Sequence, residues 1–121
     1  MKRCLIVDDS KVIRLVARKI LQELNFDTDE AVDGHEALEI CQTAMPDGVL
    51  LDEKMPVLTG IEFLHELRKM PGGHTPIVVF CTADNDLKNI QSAIEAGANE
   101  YIMKPFDLKT IKEKFTQVGL L

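Results

Sequence analysis

The chain has 121 residues, of which 45% are hydrophobic and 28% are charged. This length and composition are typical of one globular domain with its own core, and they exclude an intrinsically disordered chain. The 14 basic and 20 acidic residues give a net charge of −6, which excludes a general nucleic-acid binder and electrostatic attachment to an anionic membrane.

Cysteine usage and apolar runs predict where the protein resides. Cys4, Cys41 and Cys81 are odd in number, far apart in sequence and lie in or beside apolar stretches, which fits neither a disulfide framework nor a zinc site. The apolar run at residues 4–7 is too short for a signal peptide, and no segment approaches the roughly 20 apolar residues of a membrane helix. We therefore expect a cytoplasmic protein with one domain over residues 1–121 and no attached output domain.

Short apolar segments alternate with helical patterns along the whole chain. A capping residue precedes four of the helices, at Ser10, Asp33, Thr59 and Asp107. Glu36 and Glu62 follow Asp33 and Thr59 by three residues, the spacing of a capping box, and residues 84–86 open the fourth helix. The strands are expected at residues 4–7, 26–32, 48–51, 76–81 and 101–103.

The apolar spacing within the helices predicts which residues face the core. In the first helix the apolar positions include Val12 and Val16, with a period of 3.6 residues. In the fourth helix Leu87, Ile90 and Ile94 are expected to point inward. Each of these helices should therefore cover one face of a sheet.

Strict alternation of five strands with five helices predicts the fold class. The third and fourth strands are continuously apolar, as expected when helices cover both faces of a sheet. The second strand is diluted by polar residues and is expected at a sheet edge. The pattern therefore predicts an α/β protein, a doubly wound five-stranded parallel sheet.

The predicted strands end in polar residues, and ligands of such sheets bind at these carboxyl ends. The first strand ends in Asp8 and Asp9, the third in Asp52, the fourth in Thr82 and the fifth in Lys104. If the strand order is 2-1-3-4-5, the three carboxylates converge and repel each other. A hard divalent cation would relieve that repulsion, and oxygen ligands with an incomplete protein shell favour Mg²⁺.

This constellation suits phosphoryl chemistry. A carboxylate beside Mg²⁺ can act as a nucleophile toward a phosphoryl group, whose equatorial oxygens must then be neutralised. Lys104 offers a cation, Thr82 a hydroxyl and Ala83 a backbone N–H. Taken singly, each residue has an ordinary structural explanation, such as a turn, a cap or a surface lysine. The functional interpretation rests on all of them falling at one end of one sheet.

With these residues placed, essentially the whole chain resembles the receiver domains of two-component response regulators, and its extent is similar to that of free-standing, chemotaxis-type (CheY-like) members. The resemblance implies the flavodoxin-like (βα)5 fold with strand order 2-1-3-4-5. It rests on Val7-Asp8-Asp9-Ser10, Leu51-Asp52 with Met55-Pro56 and Gly60, Thr82-Ala83, Gly97-Ala98, and Tyr101 with Lys104-Pro105-Phe106.

The resemblance implies a role for each matching position at the site. Asp52 would accept a phosphoryl group from a phosphohistidine. Asp9, Asp52 and the backbone carbonyl of Lys54 would ligate Mg²⁺ directly, with Mn²⁺ as a substitute, and Asp8 would act mainly through metal-bound water. Lys104 would contact the phosphoryl group.

The same resemblance implies a switch. Thr82 would move toward the phosphate, and Tyr101 would swing inward into the vacated space. The Lys104–Pro105 peptide bond would be cis. Lys54 and Asp84 would lie at the rim of the pocket, where we hypothesise that they pair and impede the attacking water.

The expected function is a single-domain phosphorylation switch rather than a metabolic enzyme. Its partners would be a histidine kinase or phosphotransfer protein and a downstream protein bound by the face of the fourth helix, fifth strand and fifth helix, unless it serves as a phosphate sink or shuttle. The protein would be a monomer or a transient dimer.

Other functions remain open at this point. A Mg²⁺-dependent phosphohydrolase with an Asp nucleophile is the main alternative, although Lys54 stands where such an enzyme would want a second carboxylate. A nucleotide-binding flavodoxin-like protein lacks the expected glycine-rich loop after the first strand. A cyclic-dinucleotide-binding receiver would need an arginine cluster that the four arginines do not form.

Overall fold

The computed structural model describes residues 1–83 and 87–121. Within these residues five strands alternate with five helices. The strands are β1 (Arg3–Val7), β2 (Asp27–Ala31), β3 (Gly48–Asp52), β4 (Ile77–Thr82) and β5 (Glu100–Met103). The helices are α1 (Lys11–Glu23), α2 (Gly34–Thr43), α3 (Gly60–Lys69), α4 (Leu87–Ala96) and α5 (Leu108–Gln117).

The strands form one parallel sheet in the order β2-β1-β3-β4-β5. The predicted fold class and strand order are therefore confirmed. β3 is buried along its whole length, whereas the charged strand β2 lies at the edge. Continuous apolar sequence is required only where helices cover both faces, and this explains the contrast.

Two hydrophobic clusters lie on opposite faces of the sheet. Successive residues of β1 alternate between them, with Leu5 and Val7 in one cluster and Cys4 and Ile6 in the other. Helices α2, α3 and α4 cover the first cluster, and α1 and α5 cover the second. The helices therefore leave the carboxyl-terminal edge of the sheet to the loops.

The predicted helix caps are confirmed with one correction. Ser10, Asp33, Thr59 and Asp107 each accept a hydrogen bond from a backbone N–H three residues later. Thr59 and Glu62 form the complete capping box. The side chain of Glu36 instead accepts a hydrogen bond from the backbone N–H of Val32, at 3.3 Å, so the capping box predicted at Asp33 does not close. The predicted opening of the fourth helix at residues 84–86 lies outside the described residues.

The expected inward face is wrong for parts of α1 and α4. Val12 and Val16 of α1 are 68% and 40% exposed, and Leu87 and Ile94 of α4 are 78% and 44% exposed. A helix on an open sheet contacts it along a narrow stripe, which α1 fills with Ala17 and Leu21, and α4 with Ile90, Ala93 and Ala96. Apolar residues at the margin of the stripe therefore remain in solvent.

The cysteines are free thiols buried in the core, as predicted. Burial is the main cause that raises the pKa of Cys4 to about 12 and that of Cys41 to about 11. These residues therefore behave as small hydrophobic side chains. Among the described residues, no helix combines the length and apolar character needed to cross a membrane.

Candidate functional site

Buried polar side chains gather at the carboxyl-terminal edge of the sheet. Asp8 follows β1, Asp52 ends β3 and Thr82 ends β4, and they are only 3%, 7% and 1% exposed. Polar groups buried to this degree need compensating partners. Lys104, which follows β5, supplies one of them.

Lys104 bridges two carboxylates from different strands. Its Nζ lies 2.9 Å from Oδ2 of Asp8 and 2.7 Å from Oδ1 of Asp52. Burial alone would lower the pKa of Lys104, but its hydrogen bonds to Asp52 and Asp8 outweigh this and raise that pKa. The ammonium group therefore stays charged and holds β1, β3 and β5 together at this edge.

Asp52 remains an unfavourably placed carboxylate in spite of this partner. Burial raises its pKa, the hydrogen bond from Lys104 lowers it, and the nearby charges of Asp8 and Asp9 raise it again, with a net upward shift. The ionised form of Asp52 is therefore held at a cost in free energy. Any group that neutralises its charge would relieve this cost.

The acidic cluster has the composition of a hard-cation site. Asp8, Asp9 and Asp52 each offer a carboxylate oxygen, and these oxygens all lie within 4.8 Å of one another. Ser10 fixes Asp8 by donating its backbone N–H to Oδ1 at 2.9 Å, while Asp9 is exposed. Three carboxylates exceed the single charge of Lys104, so the arrangement could hold a divalent metal ion, and its all-oxygen donors suit Mg²⁺.

The β3–α3 loop is held tightly against the site. The backbone N–H of Glu53 donates to the carbonyl of Cys81, and that of Gly60 donates to the carbonyl of Glu53, both at 3.0 Å. A Cβ on Gly60 would lie 2.3 Å from the carbonyl oxygen of Asp52. Glycine at this position is therefore what lets α3 begin directly beside the end of β3.

The loop also contains a tight turn with unusual backbone geometry. The N–H of Leu58 donates to the carbonyl of Pro56 at 2.7 Å, and Val57 between them has a φ of 71°. A positive φ is costly for a β-branched residue. The side chain of Val57 is exposed, so packing of that side chain does not cause the positive φ. The hydrogen-bonded turn from Pro56 to Leu58 imposes it.

Most of the residues singled out in the sequence line one small cavity at this edge of the sheet. Lys54, which is exposed, is one of them. Thr82 is not among the residues that line it and lies buried at the end of β4, and Asp84 lies outside the described residues. The cavity measures about 240 Å³ and is lined by Asp8, Asp9, Ser10, Asp52, Glu53, Lys54, Ala83 and Lys104.

Tyr101 lies apart from this cavity. It sits in β5, half buried, and packs against the cluster covered by α2, α3 and α4. The Nζ of Lys114, on α5, lies 4.8 Å from the centre of its ring. The Lys104–Pro105 bond that connects β5 to the next loop is cis, as the resemblance implied.

Sequence reasoning missed Glu53. Its Oε1 accepts a hydrogen bond from Oγ1 of Thr82 at 2.7 Å. The available signal was an acidic residue immediately after Asp52, at the end of a fully buried strand. Thr82 lies 29 positions away, so the pattern alone did not connect the two.

The chain belongs to the response regulator receiver domain family, whose model matches residues 4–116. This is a family of two-component signalling switches rather than classical enzymes, and its members interact with kinase or phosphotransfer partners and with downstream targets. The strand order and the acidic edge described above agree with that membership.

The similar proteins include chemotaxis-type switches of nearly the same length. The chain is 35% identical over 117 residues to the chemotaxis protein CheY of Halobacterium salinarum, and the alignment covers 97% of this chain and 96% of that protein. It is 36% identical over 119 residues to the protein CcdB of Bacillus subtilis, and that alignment covers 98% of each of the two chains. The structure of the chemotaxis protein CheY4 of Vibrio cholerae matches it with a TM-score of 0.93 at 31% identity over 98% of each chain.

Proposed function

We propose that residues 1–121 act as a phosphorylation switch in which Asp52 accepts a phosphoryl group from a phosphohistidine. The observation that carries this proposal is the position of Asp52, which is buried, paired with Lys104 at 2.7 Å and close to two further carboxylates. A carboxylate held at a cost beside a cation and an accessible cavity is suited to accept an electrophile.

The transfer replaces one phosphorus bond by another. An Oδ atom of Asp52 attacks the phosphorus, the P–N bond to the donor imidazole breaks, and the electron pair leaves with that imidazole. The product is an acyl phosphate on Asp52. In this proposal Lys104 neutralises one phosphoryl oxygen, while the hydroxyl of Thr82 and the N–H of Ala83 donate to the others.

The reaction is proposed to require Mg²⁺, with Mn²⁺ as a substitute. Asp8, Asp9, Asp52 and the backbone carbonyl of Lys54 would hold the ion, with Asp8 acting mainly through bound water. When bound, the ion supplies positive charge that offsets both the crowded carboxylates and the phosphoryl oxygens. Lys54 is also proposed to act at the rim of the site with Asp84.

The output is proposed to be a change in protein binding. Thr82 would move toward the phosphoryl group and Tyr101 would move inward, which alters the face formed by α4, β5 and α5. That face would bind a downstream protein, while a histidine kinase or phosphotransfer protein would supply the phosphoryl group. The chain would act as a monomer or transient dimer.

The test is incubation with acetyl phosphate, with and without Mg²⁺, read by intact mass spectrometry. We expect one phosphoryl adduct that requires Mg²⁺. Asp52→Asn removes the nucleophile and should prevent modification, whereas Asp27→Asn, which neutralises an exposed carboxylate at the start of β2, should be modified normally.

Two outcomes would contradict the proposal. One is wild-type protein that stays unmodified with both reagents present. The other is multiple turnover of an external phosphate ester, since that would indicate the phosphohydrolase instead.

A further inference from the structure

The hydroxyl of Thr82 donates a hydrogen bond to a neighbouring side chain. The side chain of Thr82 is 1% exposed, and its Oγ1 lies 2.7 Å from Oε1 of Glu53. A carboxylate only accepts hydrogen bonds, and a hydroxyl has one proton to donate. The hydroxyl proton of Thr82 is therefore donated to Glu53.

Glu53 is well placed to keep this bond. Its backbone N–H and carbonyl are both bonded, to Cys81 and Gly60 respectively, so its main chain has little freedom. Glu53 lines both the cavity that contains Asp52 and a second cavity of about 610 Å³. The second cavity is lined by Asp9, Glu53, Lys54, Met55, Pro56, Thr59 and Ile61. Glu53 therefore adds an acidic residue to the lining of the cavity that contains Asp52.

We propose that Glu53 is a positioning residue that restrains the switch by competing with the phosphoryl group for the hydroxyl of Thr82. This inference rests on the proposed function. A phosphoryl group on Asp52 can gain the Thr82 hydroxyl only after the bond to Glu53 breaks. The charge of Glu53 also repels the phosphoryl oxygens, so both effects favour the unswitched state.

The expected size of the effect follows from the kind of bond. Hydrogen bonds to charged groups shift equilibria by about 10- to 100-fold. Every variant that keeps Thr82 can form the hydrogen bond between its hydroxyl and the phosphoryl group. Removal of the carboxylate of Glu53 removes the competing bond and should therefore yield most of this gain in affinity. We therefore expect a gain in affinity for a phosphoryl mimic of about tenfold.

The test is the affinity for beryllium trifluoride at saturating Mg²⁺, followed by NMR. Glu53→Ala should bind the mimic about tenfold more tightly than the wild type. Glu53→Gln should fall between the two, because its amide oxygen still accepts a hydrogen bond without the charge. Glu66→Gln, which changes an exposed carboxylate on α3, should leave the affinity unchanged.

A double-mutant cycle separates a positioning role from a purely electrostatic one. In a Thr82→Val background the hydroxyl is absent, so the gain from Glu53→Ala should shrink to the smaller electrostatic part. An equal gain with and without the hydroxyl would overturn the inference, as would Glu53→Ala and Glu53→Gln affinities equal to that of the wild type. Failure of the wild type to bind the mimic would instead remove the proposed function, and the inference with it.

Discussion

The two ends of the sheet each hold a partly buried cation, but the hydrogen-bond partners of the two cations differ. At the amino-terminal edge Arg68, from α3, donates to the carbonyls of Gly73 and Pro76, both at 2.9 Å, and to that of Gly97 at 2.7 Å. It also reaches Oδ1 of Asn99 at 3.2 Å. At the carboxyl-terminal edge Lys104 is bonded to two carboxylates.

The difference shows what each edge does. Burial lowers the pKa of Arg68, which donates to neutral carbonyl and amide oxygens. The carboxylate partners of Lys104, in contrast, raise the pKa of Lys104. Arg68 joins the α3–β4 loop to the α4–β5 loop through their backbone carbonyls and fixes the fold. Lys104 balances only part of an excess negative charge, which leaves its edge able to respond to added positive charge.

The largest expected loss of stability comes from a substitution at the amino-terminal edge. Arg68→Met keeps most of the apolar stem but leaves several carbonyls without their donor, so we expect a loss of about 3 kcal/mol in the free energy of unfolding. Carbonyls do not titrate and do not recruit Mg²⁺, so urea denaturation should show the same loss at pH 4 and pH 7, with or without Mg²⁺.

A control substitution separates the loss of the hydrogen bonds made by Arg68 from the loss of a positive charge on α3. Lys69→Met removes the next, exposed cation on α3 and should change stability by less than about 0.5 kcal/mol. A loss in Arg68→Met that Mg²⁺ repairs would contradict the distinction between the two edges.

A smaller effect is expected from the same change at the other edge. Lys104→Met removes two hydrogen bonds to the carboxylates of Asp8 and Asp52 from a cation that is 20% exposed, and we expect a loss of about 2 kcal/mol in the free energy of unfolding at pH 7. The hydrogen bond from Lys104 lowers the pKa of Asp52, so its removal raises that pKa further. An acid with a raised folded-state pKa loses stability as pH rises through that pKa.

The loss in Lys104→Met should therefore shrink as the pH falls toward 4 and when Mg²⁺ is added. Urea denaturation under the four combinations of pH and Mg²⁺ measures this directly. A deficit that stays constant across them, as expected for Arg68→Met, would show that the two cations have equivalent roles.

The smallest effect has the opposite sign. The raised pKa of Asp52 means that the fold disfavours its carboxylate, so Asp52→Asn should raise stability by about 1 kcal/mol at pH 7 without Mg²⁺. The gain should fall as the pH drops toward the ordinary value of 3.8, because the wild-type carboxyl is then protonated as well.

Thermal denaturation across this pH range checks the sign. Asp27→Asn, at the exposed start of β2, is the control and should change little. A loss of stability in Asp52→Asn at pH 7 would mean that the bond to Lys104 outweighs the burial of Asp52, and the carboxyl-terminal edge would then resemble the amino-terminal one.

The sequence by itself determined the fold and the strand ends. Short apolar runs that alternate with helical spacing specify parallel strands with helices between them. The polar dilution of residues 26–32 placed β2 at the edge. Asp8, Asp52 and Lys104 could be named because carboxyl ends of parallel strands meet at one edge whatever the side-chain details.

Only the tertiary structure decided which side chains touch there. The bond between Glu53 and Thr82 joins the residue after β3 to the last residue of β4, and the register of β3 against β4 brings the two together. The role of Arg68 likewise depends on loops that meet only after the helices pack. Local periodicity records which face a residue occupies, whereas hydrogen bonds between distant segments depend on distances that only the packed sheet defines.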